Sequence, residues 1–95
     1  MSNAPRVEHV PERRRFEMKF DEGIALLEYR KLDADTLDYH HTFVPPALRG
    51  RGLAGDLTDY ALRHARDAGL KVVPTCPFVA AYIARHPELA SIVAH

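Results

Sequence analysis

Arg49-Gly50-Arg51-Gly52-Leu53-Ala54 places two glycines and two arginines just before an amphipathic stretch of helical period. The first turn of a helix carries backbone N–H groups without internal partners, at the positive end of the helix dipole. Gly50 and Gly52 lack Cβ atoms, so a ligand can come close to the main chain. Arg49 and Arg51 add fixed positive charge. This spacing predicts a socket for a phosphorylated cofactor. The plainer alternative is an ordinary glycine turn between strand and helix. Two further side chains carry chemistry. Cys76, between prolines 74 and 77, is either a small buried apolar group or a thiol available as a nucleophile. His41 is either a hydrogen-bonded core histidine or a general base, since its ordinary pKa suits removing a proton from an ammonium.

Composition narrows the classes. Ninety-five residues make one domain with a core of modest size. Thirteen Lys and Arg balance thirteen Asp and Glu, so the broad basic face of a nucleic-acid binder is not expected. No apolar run is long enough to span a membrane, and nothing at the start reads as a signal peptide. A single cysteine cannot form an internal disulfide and suits a reducing cytosol. His40 and His41 with Cys76 do not predict a metal site, because neighbours on a strand point to opposite faces and no other ligand has suitable spacing.

The elements that must position these groups follow from periodicity. Residues 1–12 carry Pro, Asn and charge without period and read as a flexible lead-in, with Ser2-Asn3-Ala4 open to reading as a cloning remnant; residues 13–95 form the domain. Arg15 to Phe20 alternates as a half-buried strand, Asp21-Glu22-Gly23 turns, and Ile24 to Lys31 returns as the second arm of a hairpin. Thr36 to Val44 is a third strand, with Leu37, Tyr39, His41 and Phe43 expected on one face. Pro45-Pro46 ends it. From Leu53 to Ala68 the period becomes helical, with Leu53, Leu57, Ala61, Ala65 and Ala68 in one stripe and Gly69 as the cap. Leu70 to Val73 is a short fourth strand. Phe78 to Arg85 is a second helix, and a further helical turn is open after Pro87. The third strand, first helix and fourth strand form a right-handed βαβ unit. Ligands of open α/β sheets collect beyond the carboxyl ends of the strands, where the Arg49–Ala54 turn and Cys76 should meet.

At these residues the chain resembles the GNAT superfamily of acyl-CoA-dependent N-acetyltransferases. The signature of that superfamily is Gln or Arg, two residues, Gly, one residue, then Gly or Ala; here Arg49, Gly52 and Ala54 fill it. The small size, His41-Thr42 near the strand end and the Val73-Pro74-Thr75-Cys76-Pro77-Phe78-Val79 segment resemble its small stand-alone N-acetyltransferase-like branch, over roughly residues 15 to 88. The resemblance implies an α/β (α+β) fold: a three-stranded antiparallel meander, a crossover helix, a parallel fourth strand and a C-terminal helix. It implies that acetyl-CoA rests its pyrophosphate on the amides of Arg51 through Ala54, with Arg49 and Gly50 alongside. The pantetheine arm would bond backbone groups near Phe43 and Val44, and a main-chain N–H near Val44 would polarise the thioester carbonyl. Tyr82 falls about where many relatives keep a tyrosine that protonates the departing thiolate. A core aromatic is its alternative role. The chain departs from the pattern at His86-Pro87, where a glycine–aromatic pair is usual, and it lacks the helices that larger relatives insert after their first strand.

The reading is therefore a cytoplasmic N-acetyltransferase that moves an acetyl group from acetyl-CoA to a primary amine of unknown identity, with His41, Cys76 and Tyr82 as candidates for proton or acyl handling. Its rivals are an acyl-CoA-binding module without efficient transfer, and a self-acylating protein or thioesterase acting through Cys76.

Overall fold

A computed structural model describes residues 6–94. Five strands form one sheet in chain order: β1 (Glu8–Val10), β2 (Arg15–Phe20), β3 (Gly23–Lys31), β4 (Thr36–Phe43) and β5 (Lys71–Val73). The first four are antiparallel, and β5 runs parallel to β4. Between them crosses α1 (Leu53–Asp67); α2 (Pro77–Arg85) follows β5, and a 3-10 segment spans Pro87–Ile92.

The antiparallel part holds four strands rather than the expected three. The lead-in expected over residues 1–12 gives way to sheet at Glu8, because His9 pairs with Phe16 in the ladder and stacks on its ring at 4.6 Å. His9 Nε2 also meets the Tyr29 hydroxyl at 2.7 Å. Three residues before a proline are too few to show a period, so β1 has no signature of its own. The suggestion about Ser2-Asn3-Ala4 lies outside the described residues.

One face of the sheet takes the helices. Leu53, Leu57, Ala61 and Ala65 of α1 are buried, while Ala68, the last of the expected stripe, is exposed past the helix end. Leu70 N–H reaches back to Ala65 O at 2.8 Å and Gly69 N–H to Arg66 O at 3.1 Å, which closes the helix over Gly69. Tyr39 is wholly enclosed, and its hydroxyl donates to Ala61 O at 2.6 Å. Burial pushes the Tyr39 pKa well above the ordinary tyrosine value. The opposite face carries Arg15, Glu17 and Glu28, with Arg15 in ion pairs to both carboxylates.

A bulge in β4 changes which residues share a face. Glu28 pairs with His41 and the next residue, Tyr29, pairs with Tyr39, so His40 is an extra residue in the ladder. Leu37 and Tyr39 therefore face α1 as expected, but His41 and Phe43 turn to the free face. Thr42, opposite the buried Leu27, turns toward the helices instead. A side-chain period of two makes one extra residue enough to invert everything beyond it.

At the outer edge, Val93 forms a parallel bridge with Val72, and Ala94 N–H donates to Val72 O at 2.9 Å.

Candidate active site

The chain leaves β4 through Val44 and Pro45, turns once over Pro46–Leu48, and is pinned by the fully buried Leu48. Gly50 (φ 86°) and Gly52 (φ 76°) then take left-handed conformations that a side chain would strain. Gly52 caps α1 without any side-chain bond. The first helical bond runs from Asp56 N–H to Gly52 O at 3.1 Å, so the N–H groups of Leu53, Ala54 and Gly55 precede the helical ladder. A Cβ at Gly50 or Gly52 would meet no atom within 4 Å, so the space over both is open. That space is a cavity of about 280 Å³ lined by Val44, Leu48, the turn and helix start from Arg49 to Gly55 except Arg51, and Phe78 of α2.

The arginines differ. Arg49 Nε donates to Val44 O at 3.0 Å and so braces the end of the strand beside the cavity. Arg51 turns aside to Glu22, at 3.7 Å. Phe43, turned to the free face, is likewise absent from the cavity wall.

The second half of the site lies where β4 and β5 part. Their ladder covers only Thr36↔Lys71, Leu37↔Val72 and Asp38↔Val73. Pro74 has no N–H to continue it. Cys76 N–H then donates to Tyr39 O at 2.9 Å, after two residues have looped out. Cys76 is buried, opens α2, and sets Sγ 3.6 Å from Thr42 Oγ1. The bulge at His40 is what brings Thr42 to this contact.

His41, Cys76 and Tyr82 occupy three different settings. His41 is exposed on the free face beside Glu28, not on an apolar face with Leu37 and Tyr39. Tyr82 sits on the seam between α2 and α1, where its hydroxyl donates to Asp59 at 2.8 Å. Its ring stacks on His86 with centroids 4.0 Å apart, and His86 Nδ1 donates to Tyr82 O at 2.9 Å. Burial, then the Asp59 hydrogen bond and charge, push the Tyr82 hydroxyl up to about 12. Burial alone would raise Asp59, but the hydrogen bonds from Arg63 and Tyr82 outweigh it and hold the carboxyl below its ordinary value. A wider depression of about 990 Å³ runs along this side of α1 past Asp59, Arg63, His64 and Tyr82. It is larger than the cavity at Gly50, and the Asp59–Arg63 ion pair is part of its lining.

Asp38 and Phe78 escaped the sequence reading. Asp38 alternates as a residue of the polar face should, yet only 8% of its surface is exposed and its Oδ1 has no partner. Period alone cannot show that a polar face is covered. Phe78 reads as one more residue of a short helix until α2 is seen to point it at the cavity. Among the described residues, no three His, Cys, Asp or Glu side chains are grouped to hold a metal ion. Among the described residues, no helix is long and apolar enough to cross a membrane.

The sequence model of the GCN5-related N-acetyl-transferase family matches residues 15–92, and the chain belongs to that family. Its fold is that of the GNAT superfamily, a family of acyltransferases. Among relatives, it is 36% identical over 90 residues to Protein NATD1 of Xenopus tropicalis, covering 90% of this chain and 81% of that one. It is also 36% identical over 86 residues to Protein NATD1 of Homo sapiens, covering 86% and 74%. The solution structure of a GCN5-like protein from Staphylococcus aureus shares the fold with a TM-score of 0.74 at 22% identity, over 98% of this chain and 91% of that one.

Proposed function

We propose that the protein is an N-acetyltransferase that takes its acetyl group from acetyl-CoA and gives it to a primary amine. The observation that carries this reading is the open N-terminus of α1, where Gly50 and Gly52 leave room over backbone N–H groups beside a cavity that Val44 and Phe78 also line. These residues fit a phosphorylated ligand, because amides and helix dipole together favour an anion. The amides from Gly52 to Gly55 would hold the pyrophosphate, and Arg49 would add positive charge beside it. Val44 and Phe78 would flank the pantetheine arm, and a main-chain N–H near Val44 would donate to the carbonyl oxygen as negative charge develops there. Bound acetyl-CoA supplies a thioester whose carbonyl carbon accepts the amine and whose sulfur leaves. His41, at the surface of the free face, would pass the released proton to water. Tyr82, tied to Asp59, is assigned to joining the two helices rather than to protonating the thiolate. The lone thiol, kept reduced, suits a cytosolic site of action.

Calorimetric titration with acetyl-CoA, using adenosine diphosphate as a control, tests the reading. Saturable binding much tighter than the control is expected; no binding at millimolar acetyl-CoA would sink it.

Cys76 supports a second reading. Its sulfur lies at the fork with the Thr42 hydroxyl 3.6 Å away, a polar partner within reach of a thiolate. Transfer through Cys76 would leave an acetyl thioester on the protein before the amine takes it. On the direct route, Cys76→Ala should keep amine acetylation within about threefold of the parent. A loss of about 100-fold, together with a trapped acetyl label on the parent protein alone, would establish the covalent route instead.

A further inference from the structure

Val44 joins β4 to the turn that carries the two glycines. It lies one residue past the last pairing with β3, at Leu26↔Phe43, and well past the last rung with β5, at Asp38↔Val73. Pro45 follows and has no N–H to extend either ladder. The sheet therefore does not hold this part of the main chain, and other contacts do. Pro45 packs on the hairpin tip at Gly23, where a Cβ would stand 3.0 Å from Pro45 Cγ. Leu48 N–H donates to Pro45 O at 2.9 Å, and Arg49 N–H to Pro46 O at 3.3 Å. Arg49 Nε then reaches back five residues to Val44 O at 3.0 Å, which closes the turn.

Arg49 is exposed and lines the cavity, and its guanidinium enters no ion pair among the described residues. Arg51 differs, being turned to Glu22. A guanidinium is a planar fork, so a bond at Nε fixes the direction in which both Nη groups point. An exposed bond from a long side chain forms and breaks readily, because holding that chain costs rotamer freedom. An anion on the Nη groups would anchor the far end of the fork and so keep its near end on Val44.

We infer that Arg49 is a positioning residue that carries the effect of a phosphate at the glycine turn to the main chain at Val44, an inference that rests on the acetyltransferase reading. Without phosphate the clasp on Val44 O is loose. With phosphate on the Nη groups it stays closed, and the main chain beside Val44 is fixed where the thioester carbonyl needs it. Binding energy from a part of the cofactor that does not react is thereby used at the carbon that does. The requirement on the side chain is specific. Lysine keeps the charge but has a methylene where arginine has Nε, whereas glutamine places an N–H there and has no charge.

Adenosine diphosphate tests this without turnover, since it brings phosphates and no thioester. In the parent, millimolar adenosine diphosphate is expected to raise the NMR order parameter of the Val44 amide toward the roughly 0.85 of rigid backbone. Arg49→Lys should bind acetyl-CoA within about threefold of the parent and yet show no such rise. Its kcat with a primary amine should fall about tenfold or more, a loss in turnover without a matching loss in affinity. Arg49→Gln should also show no rise, and should lose about tenfold in acetyl-CoA affinity. An order parameter that adenosine diphosphate leaves unchanged in the parent, or raises equally in Arg49→Lys, would overturn the coupling. So would an Arg49→Lys variant with the parent's kcat, and each of these outcomes leaves the acetyltransferase reading standing. A parent protein that binds neither adenosine diphosphate nor acetyl-CoA would overturn both.

Discussion

The two halves of the site are built from different materials. On the proposed reading, the working groups at the start of α1 are main-chain amides, presented by two glycines in left-handed conformation. At the fork between β4 and β5 they are side chains, Thr42 against Cys76. A backbone cradle needs only the right local conformation, so many side chains around it are exchangeable. A side-chain site depends on the strand presenting the correct face, and one extra residue reverses that face.

Three substitutions sharpen this contrast. Gly52→Val should have the largest effect, because a β-branched residue at φ 76° is strained by roughly 1–2 kcal/mol and covers the amides. Loss of the charge-assisted bonds should weaken acetyl-CoA by about 100-fold or more in calorimetry. Binding preserved in that variant would mean that the helix amides are not the cradle.

Tyr82→Phe comes next and bears on stability rather than turnover. Removing the hydroxyl from Asp59 should lower stability by about 1 kcal/mol, read from denaturant midpoints, while kcat stays within about twofold. The pH dependence has a definite sign. The fold raises the Tyr82 pKa from 10.0 to about 12, so this contribution is complete below pH 10 and is lost as pH climbs toward 12. The Phe variant should lack that alkaline component. A large fall in kcat would return Tyr82 to the chemistry of the thiolate.

Arg51→Ala should matter least. Its ion pair with Glu22 is exposed on both sides, and Arg51 does not line the cavity. A roughly twofold, salt-sensitive change in acetyl-CoA affinity is expected. A tenfold loss would show that side-chain charge contributes to the cradle as the amides do.

The same contrast governs what could be read from the chain. Strands β2, β3 and β4, helix α1 and the glycine turn were legible nearly to the residue, because alternation, helical period, Pro45-Pro46 and the Arg49–Ala54 pattern are local signals. The bulge at His40 was not, since its evidence lies in the pairing of β4 with β3 and two adjacent histidines do not announce an extra residue. His41 and Phe43 were therefore assigned to the wrong face, and the burial of Asp38 was missed. Strand β1 escaped for another reason: His9 earns its place through Phe16 and Tyr29, contacts distant in sequence. Tyr82 was placed on its helix correctly, but its partner Asp59 is 23 residues away.

The bridge from Val93 to Val72 has a consequence for how the protein behaves in company. Strand β5 has only three residues, and without that bridge its outer N–H and C=O groups would face solvent as a template for another chain. The protein's own tail occupies that template. Removing the Val93 and Ala94 contacts would leave the α1 N-terminus and the fork in place while baring a strand edge, and bare edges are where copies of a molecule adhere to one another.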